Sequence, residues 1–156
     1  MTVEPLVAVV TTDLSAITRG RSVVESKLQK IAATGVGWLQ ANLSLTPFNS
    51  IVDPNPWGSS GDVRLVPDLN ARFRTALSGS ATPFDMVAAN IIELDGSPWV
   101  GCTRTMLSDA LAELKAPAGL SVIAAFEHEF HIEDDFGPAH SMSLAALRRA
   151  THSPLI

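Results

Sequence analysis

Short runs of apolar and β-branched residues, separated by polar turns, predict the elements of the first third of the chain. Leu6 to Thr12 is such a run and predicts a strand, and the segment Thr18-Arg-Gly-Arg-Ser22 predicts a polar turn around Gly20. Between Val24 and Asn42 apolar residues recur at spacings of three and four, which predicts a short helix that ends near Gly35 and Gly37. The N-terminal part therefore mixes strand and helix.

The stretch from Leu45 to Gly61 contains too many prolines and glycines for a regular element and predicts a long loop. Loops longer than about 12 to 15 residues inside compact domains are usually functional or disordered. This loop is therefore either a candidate site loop or an ordinary surface excursion.

The middle of the chain predicts two short extended runs and a hairpin. Val63 to Val66 alternates and stops at Pro67, and residues 69–74 form a second extended run. Two strand-like runs, 84–94 and 97–103, flank Asp95-Gly96, a dipeptide that favours a type I′ hairpin turn. The pattern predicts an antiparallel pair.

Two helices and one further strand are predicted towards the C-terminus. Apolar residues fall on one face from about Thr105 to Lys115, which predicts a helix ended by Pro117 and Gly119. Residues 120–132 contain no glycine or proline and predict a strand, and residues 143–150 predict a last helix.

The predicted strand 120–132 places two carboxylates on one face. Glu127 and Glu129 are two residues apart, so on a strand their backbone positions lie roughly 6.6 Å apart and their side chains share a side. Two like charges in a cleft favour a bound cation, and oxygen ligands of this kind suit Mg²⁺ or Mn²⁺. A Glu-x-Glu pair is a weak indicator of a metal site, however. The alternative is that both glutamates are solvated carboxylates at a strand edge.

Composition and charge exclude several classes of protein. The 156 residues are 46% hydrophobic and 17% charged, which is enough apolar content for a folded core. A net charge of −5 offers no general attraction for nucleic acid or an anionic membrane, and one cysteine, Cys102, excludes an internal disulfide. The N-terminus lacks a basic signal region and no apolar run could span a bilayer, so we predict a cytoplasmic protein with no membrane span.

An ordered series of short motifs is similar to the glutamine synthetase family. The series consists of Thr12-Asp-Leu-Ser-Ala-Ile-Thr-Arg-Gly-Arg21, Gly61-Asp-Val-Arg-Leu-Val-Pro-Asp68, Leu94-Asp-Gly-Ser-Pro-Trp99, Cys102-Thr-Arg104 and Ala125-Phe-Glu-His-Glu-Phe130. Each pattern is modest alone, but their order and spacing together are specific. The resemblance covers most of the chain.

The resemblance implies an α+β fold in two parts. These are a β-grasp-like N-terminal domain with an antiparallel or mixed sheet, residues 1–103, and the incomplete beginning of a catalytic domain, residues 104–156. Family members use ATP to form γ-glutamyl phosphate from glutamate, and ammonia or an amine then displaces phosphate to give an amide. The resemblance assigns Glu127 and Glu129 as ligands of Mg²⁺ or Mn²⁺.

Three departures from the family pattern limit which family properties can be assigned to this chain. His128 stands where proline is commonest between the two glutamates, which leaves the acceptor amine open. Asp53 lies in the loop that in the family lends an acidic catalytic residue to a neighbouring subunit, but no Asp-Gly-Ser-Ser motif surrounds it. The family's nucleotide-site and glutamate-site residues come later in chains of several hundred residues.

Two functions therefore stay open at this point. The first is the N-terminal portion of an ATP-dependent glutamate–ammonia or glutamate–amine ligase, inactive as this chain alone. The alternative is a non-catalytic assembly or regulatory module derived from the same fold. Because the strand 120–132 would expose an apolar face, we also expect the chain to form a homo-oligomer.

Overall fold

The structure, a computed structural model, describes residues 4–46, 48–58, 60–76 and 83–127. Within them lie five strands and two α-helices. The strands are β1 (Leu6–Thr12), β2 (Thr18–Val24), β3 (Val36–Trp38), β4 (Val63–Thr75) and β5 (Phe84–Ile92). The helices are α1 (Leu28–Thr34) and α2 (Thr103–Ala118), with 3₁₀ helices at Glu25–Lys27 and Gln40–Ser44.

The strands form one mixed sheet in the order β2-β1-β5-β4-β3. The central pair, β1 and β5, is parallel, and the other neighbouring strands are antiparallel. The chain leaves the β1–β2 hairpin through α1 before it returns to the sheet as β3. The predicted α+β, β-grasp-like fold class is confirmed, whereas the domain boundary at residue 103 stays a prediction.

Alternation along the strands places the core on one face of the sheet. Val7 and Val9 of β1 are fully buried, as are Val87 and Ile91 of β5. Leu28 of α1 is 4% exposed and belongs to the same cluster. Period-two burial of β-branched residues is the reason these segments are strands, and both β1 and α1 occur where the sequence predicts them.

The predicted turn around Gly20 is wrong, because Gly20 lies inside β2. It pairs with Val10, and a Cβ atom added to it would stand 2.1 Å from the carbonyl oxygen of Val9. The glycine is therefore required by close strand contact rather than by a turn. The turn lies earlier, at residues 13–17, where the backbone N–H of Asp13 donates to Ile17 O at 3.0 Å.

The predicted stop at Pro67 is also wrong, since β4 continues through it to Thr75. β3 pairs only with Val63–Leu65, so at Pro67 the strand has a described neighbour on one side only, and a missing N–H is tolerated there. A register shift between Pro67 and Arg72 marks the irregularity. The two predicted runs are one bulged strand.

A turn does occur at Asp95-Gly96, but the predicted type I′ geometry is wrong, because Gly96 has a positive φ and Asp95 does not, and the returning strand 97–103 is absent. Gly96 has φ of 90°, and the N–H of Glu93 donates to Ser97 O at 2.8 Å. After the turn, the predicted returning strand consists of one isolated antiparallel bridge, between Ile92 and Pro98. Because proline has no N–H to continue the ladder, the chain turns and α2 begins at Thr103.

The predicted strand 120–132 is wrong over its described part, since residues 120–127 have no regular secondary structure. A strand needs a neighbour for its backbone hydrogen bonds, and no strand in the described ranges pairs with this segment. Ile123 is accordingly 99% exposed. The rest of that run and the predicted helix 143–150 lie outside the described residues.

Candidate functional site

The Pro-rich loop, residues 45–61, is held against the sheet at its beginning by Arg19. The guanidinium of Arg19 donates to Asn49 Oδ1 at 2.6 Å and to the carbonyl oxygen of Thr46 at 3.3 Å. Its Nε donates to Asp13 Oδ2 at 2.5 Å. One arginine on β2 therefore joins the β1–β2 turn to the loop.

Asp13 is the buried anion that orients Arg19. Its side chain is 1% exposed, and Oδ1 accepts hydrogen bonds from the backbone N–H of Ser15 and of Ile17, each at 2.9 Å. Burial alone would raise the pKa of Asp13, but the hydrogen bonds from Arg19 and from these two amides outweigh it and lower the pKa. The carboxylate stays ionised near neutral pH.

The loop is held at its other end by Asn55 and Trp57. Asn55 Oδ1 accepts hydrogen bonds from Ser44 Oγ at 2.6 Å and from the backbone N–H of Trp57 at 3.0 Å. The Trp57 ring packs on the buried ring of Trp99, with centroids 4.9 Å apart. Trp99 in turn lies directly over Gly101, where a Cβ would stand 2.4 Å from the indole ring.

Asp53 lies on the exposed stretch of the loop between these two anchors. It forms no hydrogen bond or ion pair with any part of the chain that the structure describes, so its carboxylate is available to a ligand. Beneath the loop is a cavity of about 300 Å³ with a mainly apolar wall. The wall consists of Leu14, Ser15, Leu43, Ser44, Leu45, Thr46, Val52, Pro56 and Trp57.

The described residues do not supply a metal site. Glu127 is exposed and lies in the segment without regular structure, and Glu129 lies outside the described residues. Across the described ranges, His, Cys, Asp and Glu side chains form no group of three or more that could hold a metal ion. Glu127 alone does not fit a Mg²⁺ or Mn²⁺ ion, which takes several oxygen ligands.

Sequence reasoning identified the loop but missed the residues that hold it. The motif containing Asp13 and Arg19 carried the family resemblance without any assigned role, and Asn55 was not singled out. A run of Asx and Ser residues beside prolines is a signal for side-chain to backbone turns, so Asn55 could have been found. The Trp57–Trp99 contact depends on residues 42 positions apart in the chain and had no local signal.

The fold and the loop together define a β-grasp-like domain whose long loop is held by side-chain contacts near both of its ends. Residues 2–99 match the family model described as the glutamine synthetase N-terminal domain. The chain therefore belongs to the glutamine synthetase family.

Solved structures show the same fold. One titled "Crystal structure of novel glutamine synthase homolog" is 42% identical with a TM-score of 0.69; the match covers 74% of this chain and 28% of that chain. A complex of GmaS with ADP is 20% identical with a TM-score of 0.51, and the match covers 71% of this chain and 23% of that chain. Plasmodium falciparum glutamine synthetase is 17% identical with a TM-score of 0.53, and the match covers 72% of this chain and 20% of that chain. The chain thus spans less than a third of each relative's length.

A comparison with curated protein sequences gave no match.

None of the helices in the described ranges has the length and apolar character needed to cross a membrane.

Proposed function

We propose that this chain is the N-terminal portion of an ATP-dependent glutamate–ammonia or glutamate–amine ligase, and that it is inactive by itself. The family match over residues 2–99 is the observation that carries the proposal. The 42% identical homologue supports it. In the proposal the whole protein is cytoplasmic and assembles from identical subunits.

In this proposal the Pro-rich loop forms one wall of an active site completed by another subunit. The exposed Asp53 carboxylate, which has no partner among the residues that the structure describes, could accept hydrogen bonds from an ammonium or alkylammonium group and take up its proton. The two anchors, Arg19 and Trp57, would hold that carboxylate in place, because a misplaced catalytic group loses much of its effect. Bound ATP would supply the phosphoryl group that activates the γ-carboxylate of glutamate.

The proposal is tested by measuring glutamate- and amine-dependent formation of ADP. The 156-residue chain alone should give no turnover, and addition of a chain that carries a glutamine synthetase catalytic domain should restore it. Asp53→Ala should then lower the rate by about 100-fold, a typical loss for a general acid or base. Asp109→Asn, an exposed acid on α2, is the matched control and should leave the rate unchanged.

A different result would favour the module alternative. If the two chains associate but the mixture forms no ADP, the chain would serve assembly or regulation rather than catalysis. Turnover that is unaffected by Asp53→Ala would remove the catalytic role of Asp53 and leave the family assignment intact.

The proposed metal ligands are Glu127 and Glu129, which would together hold Mg²⁺ or Mn²⁺ in the complete protein. Titration with Mn²⁺ should show binding that Glu127→Ala weakens by roughly tenfold or more. Unchanged Mn²⁺ affinity in this variant would contradict the assignment.

A further inference from the structure

The cavity beneath the Pro-rich loop is lined by residues of the core as well as by residues of the loop and of the β1–β2 turn. Leu43 is 5% exposed, and Trp57 packs against the core cluster. Val52 of the loop and Leu14 of the turn line the same cavity, yet they are 42% and 66% exposed. An apolar space of about 300 Å³ therefore stays open beside the loop.

Backbone hydrogen bonds fix the part of the loop that carries Val52. The N–H of Val52 donates to the carbonyl oxygen of Ser44 at 2.8 Å. An isolated antiparallel bridge joins Leu45 to Ile51. The two arms of the loop therefore run side by side here, and the cavity wall is formed without a ligand, as is usual for small-molecule sites.

The wall offers a ligand few polar partners. None of the residues that line the cavity is charged. Ser44 Oγ already donates to Asn55 Oδ1 at 2.6 Å, and Thr46 Oγ1 shares a hydrogen bond of 2.7 Å with Ser50 Oγ. Apolar cavities hold water poorly and accept small apolar molecules, so an apolar group suits this one.

Asp53 supplies a negative charge at the border of the cavity. It directly follows Val52, so the Cα atoms of the two residues are about 3.8 Å apart. Arg19, the cation that holds the beginning of the loop, is already engaged by Asp13, Asn49 and a carbonyl oxygen. No cationic side chain of the described ranges pairs with Asp53. A ligand that suits both features is a cation with an apolar substituent.

We propose that this cavity binds the apolar substituent of a primary alkylammonium ion whose charged end contacts Asp53. The inference rests on the proposed function, in which Asp53 receives the acceptor amine, and it names that acceptor as an alkylamine rather than ammonia. A cavity of roughly 150 Å³ holds one benzene molecule, so a partly open cavity of about 300 Å³ has room for roughly four to eight carbon atoms. A bare ammonium ion would leave this space unused.

The test is a titration of the full chain with ethyl-, butyl- and hexylammonium chloride, against sodium chloride at equal ionic strength. Binding is followed by the indole N–H cross-peak of Trp57 in a ¹⁵N–¹H spectrum, assigned with Trp57→Phe. Because each step of the series buries two further methylene groups, affinity should rise by roughly tenfold at each step. The Trp38 peak should not move, since Trp38 does not line this cavity.

A neutral ligand isolates the part played by the carboxylate. 1-Butanol should bind roughly fivefold more weakly than butylammonium, because it makes no ion pair with the exposed Asp53. Asp53→Asn should remove this difference and leave the effect of alkyl length unchanged.

A pair of neighbouring variants isolates the part played by the cavity. Val52→Asn should weaken hexylammonium binding by roughly tenfold, because a polar side chain then lines the space that the substituent occupies. Ile51→Asn is the matched control, since Ile51 is 50% exposed and adjoins Val52 but does not line the cavity. Both replaced side chains are largely exposed, so both variants should fold.

The proposal is overturned if affinity does not rise with the length of the alkyl chain, or if Val52→Asn and Ile51→Asn bind hexylammonium equally well. A difference between butanol and butylammonium that persists in Asp53→Asn would contradict the contact with Asp53. These outcomes do not depend on turnover, so they are distinct from a failure of the ligase proposal. Binding that follows alkyl length, together with no formation of ADP in the two-chain assay, would support the cavity site and reject the ligase function.

Discussion

At the scale of single residues, two features have physical causes that can be isolated. Gly20 allows β1 and β2 to pair closely, and Asp85 anchors a cluster of charges at the start of β5. Arg72 donates to both oxygens of Asp85, at 2.9 and 2.6 Å, and also to Glu25 at 2.5 Å. The first feature is steric and the second is electrostatic, so different measurements test them.

Replacement of Gly20 by alanine should destabilise the chain strongly. The new Cβ would stand 2.1 Å from Val9 O, so the β1–β2 pair must shift, at a cost of about 3 kcal/mol in the free energy of unfolding. Gly96→Ala is the control, because a Cβ there meets nothing within 4 Å and only the positive φ opposes it, at about 1 kcal/mol. Urea unfolding measures both, and equal losses would contradict the steric argument.

The ion pair of Asp85 should make stability fall in acid. The hydrogen bond from Arg72 outweighs burial and holds the pKa of Asp85 below its ordinary value of 3.8. Stability from this pair is thus complete above that value and is lost as pH falls below it through the folded-state pKa.

Asp85→Asn should therefore lower the free energy of unfolding by about 2 kcal/mol at pH 7, because Arg72 loses its buried partner. The difference from the unmodified chain should begin to shrink below about pH 4, where the carboxylate of the unfolded chain binds a proton, and should disappear only below the lower folded-state pKa. Urea unfolding at pH 7, 5 and 3 checks this. A difference that is constant with pH would contradict the prediction, because it would show that protonation of Asp85 does not change the free energy of unfolding.

At the scale of elements, the Pro-rich loop and α2 differ in how they are fastened. The described residues of the loop form no helix and no named strand, but the loop is held by Arg19, Asn55 and Trp57. Helix α2 is regular and ends at Gly119, with φ of 65°, as the sequence predicts, but it runs through Pro117, where an end was also predicted. None of its residues is buried. Regular secondary structure and tight attachment are therefore separate properties in this chain.

Loss of the Trp57 ring should loosen the loop. Trp57→Ala removes the contact with Trp99, and we expect amide hydrogen exchange over residues 48–58 to become roughly tenfold faster. Phe48→Ala is a matched control in the same loop, because that ring is 90% exposed. Equal exchange in the two variants would show that the tryptophan pair does not hold the loop.

At the scale of the whole chain, apolar surface remains uncovered beside a well-formed core. Leu107, Leu111 and Leu114 follow one another at helical spacing on α2 and are 62%, 41% and 36% exposed. Val122 and Ile123, which follow the helix in the chain, are 57% and 99% exposed. Contiguous apolar surface of this kind favours association.

The chain should therefore self-associate at micromolar concentration. Sedimentation velocity should show species larger than a monomer, and the double change Leu107→Glu with Leu111→Glu should shift the population towards monomer. The control is a second double change, Asp109→Ala with Glu113→Ala, at polar positions of the same helix, which should leave the population unchanged. A clean monomer for the unmodified chain would contradict the expectation of a homo-oligomer.

Local pattern was enough to predict β1, α1, the turn at Asp95-Gly96, the Pro-rich loop and the body of α2. These features depend on residues close in sequence, through side-chain periodicity, positive-φ glycines and backbone breakers. The ordered motifs also identified the family. Asp53 lies on an exposed part of the loop, and its catalytic role stays a prediction.

Four other features were decided by neighbours distant in the chain. Gly20 lies in a strand because Val10 stands opposite, Pro67 is tolerated because β3 ends before it, and residues 120–127 lack a strand partner. Arg21 Nη1 on β2 donates to the carbonyl oxygen of Gly37 on β3 at 2.9 Å, a contact between the two outermost strands that exists only because the sheet curls. A strand's hydrogen bonds, and the steric and electrostatic surroundings of a side chain, are supplied by other segments, so tertiary structure alone determines them.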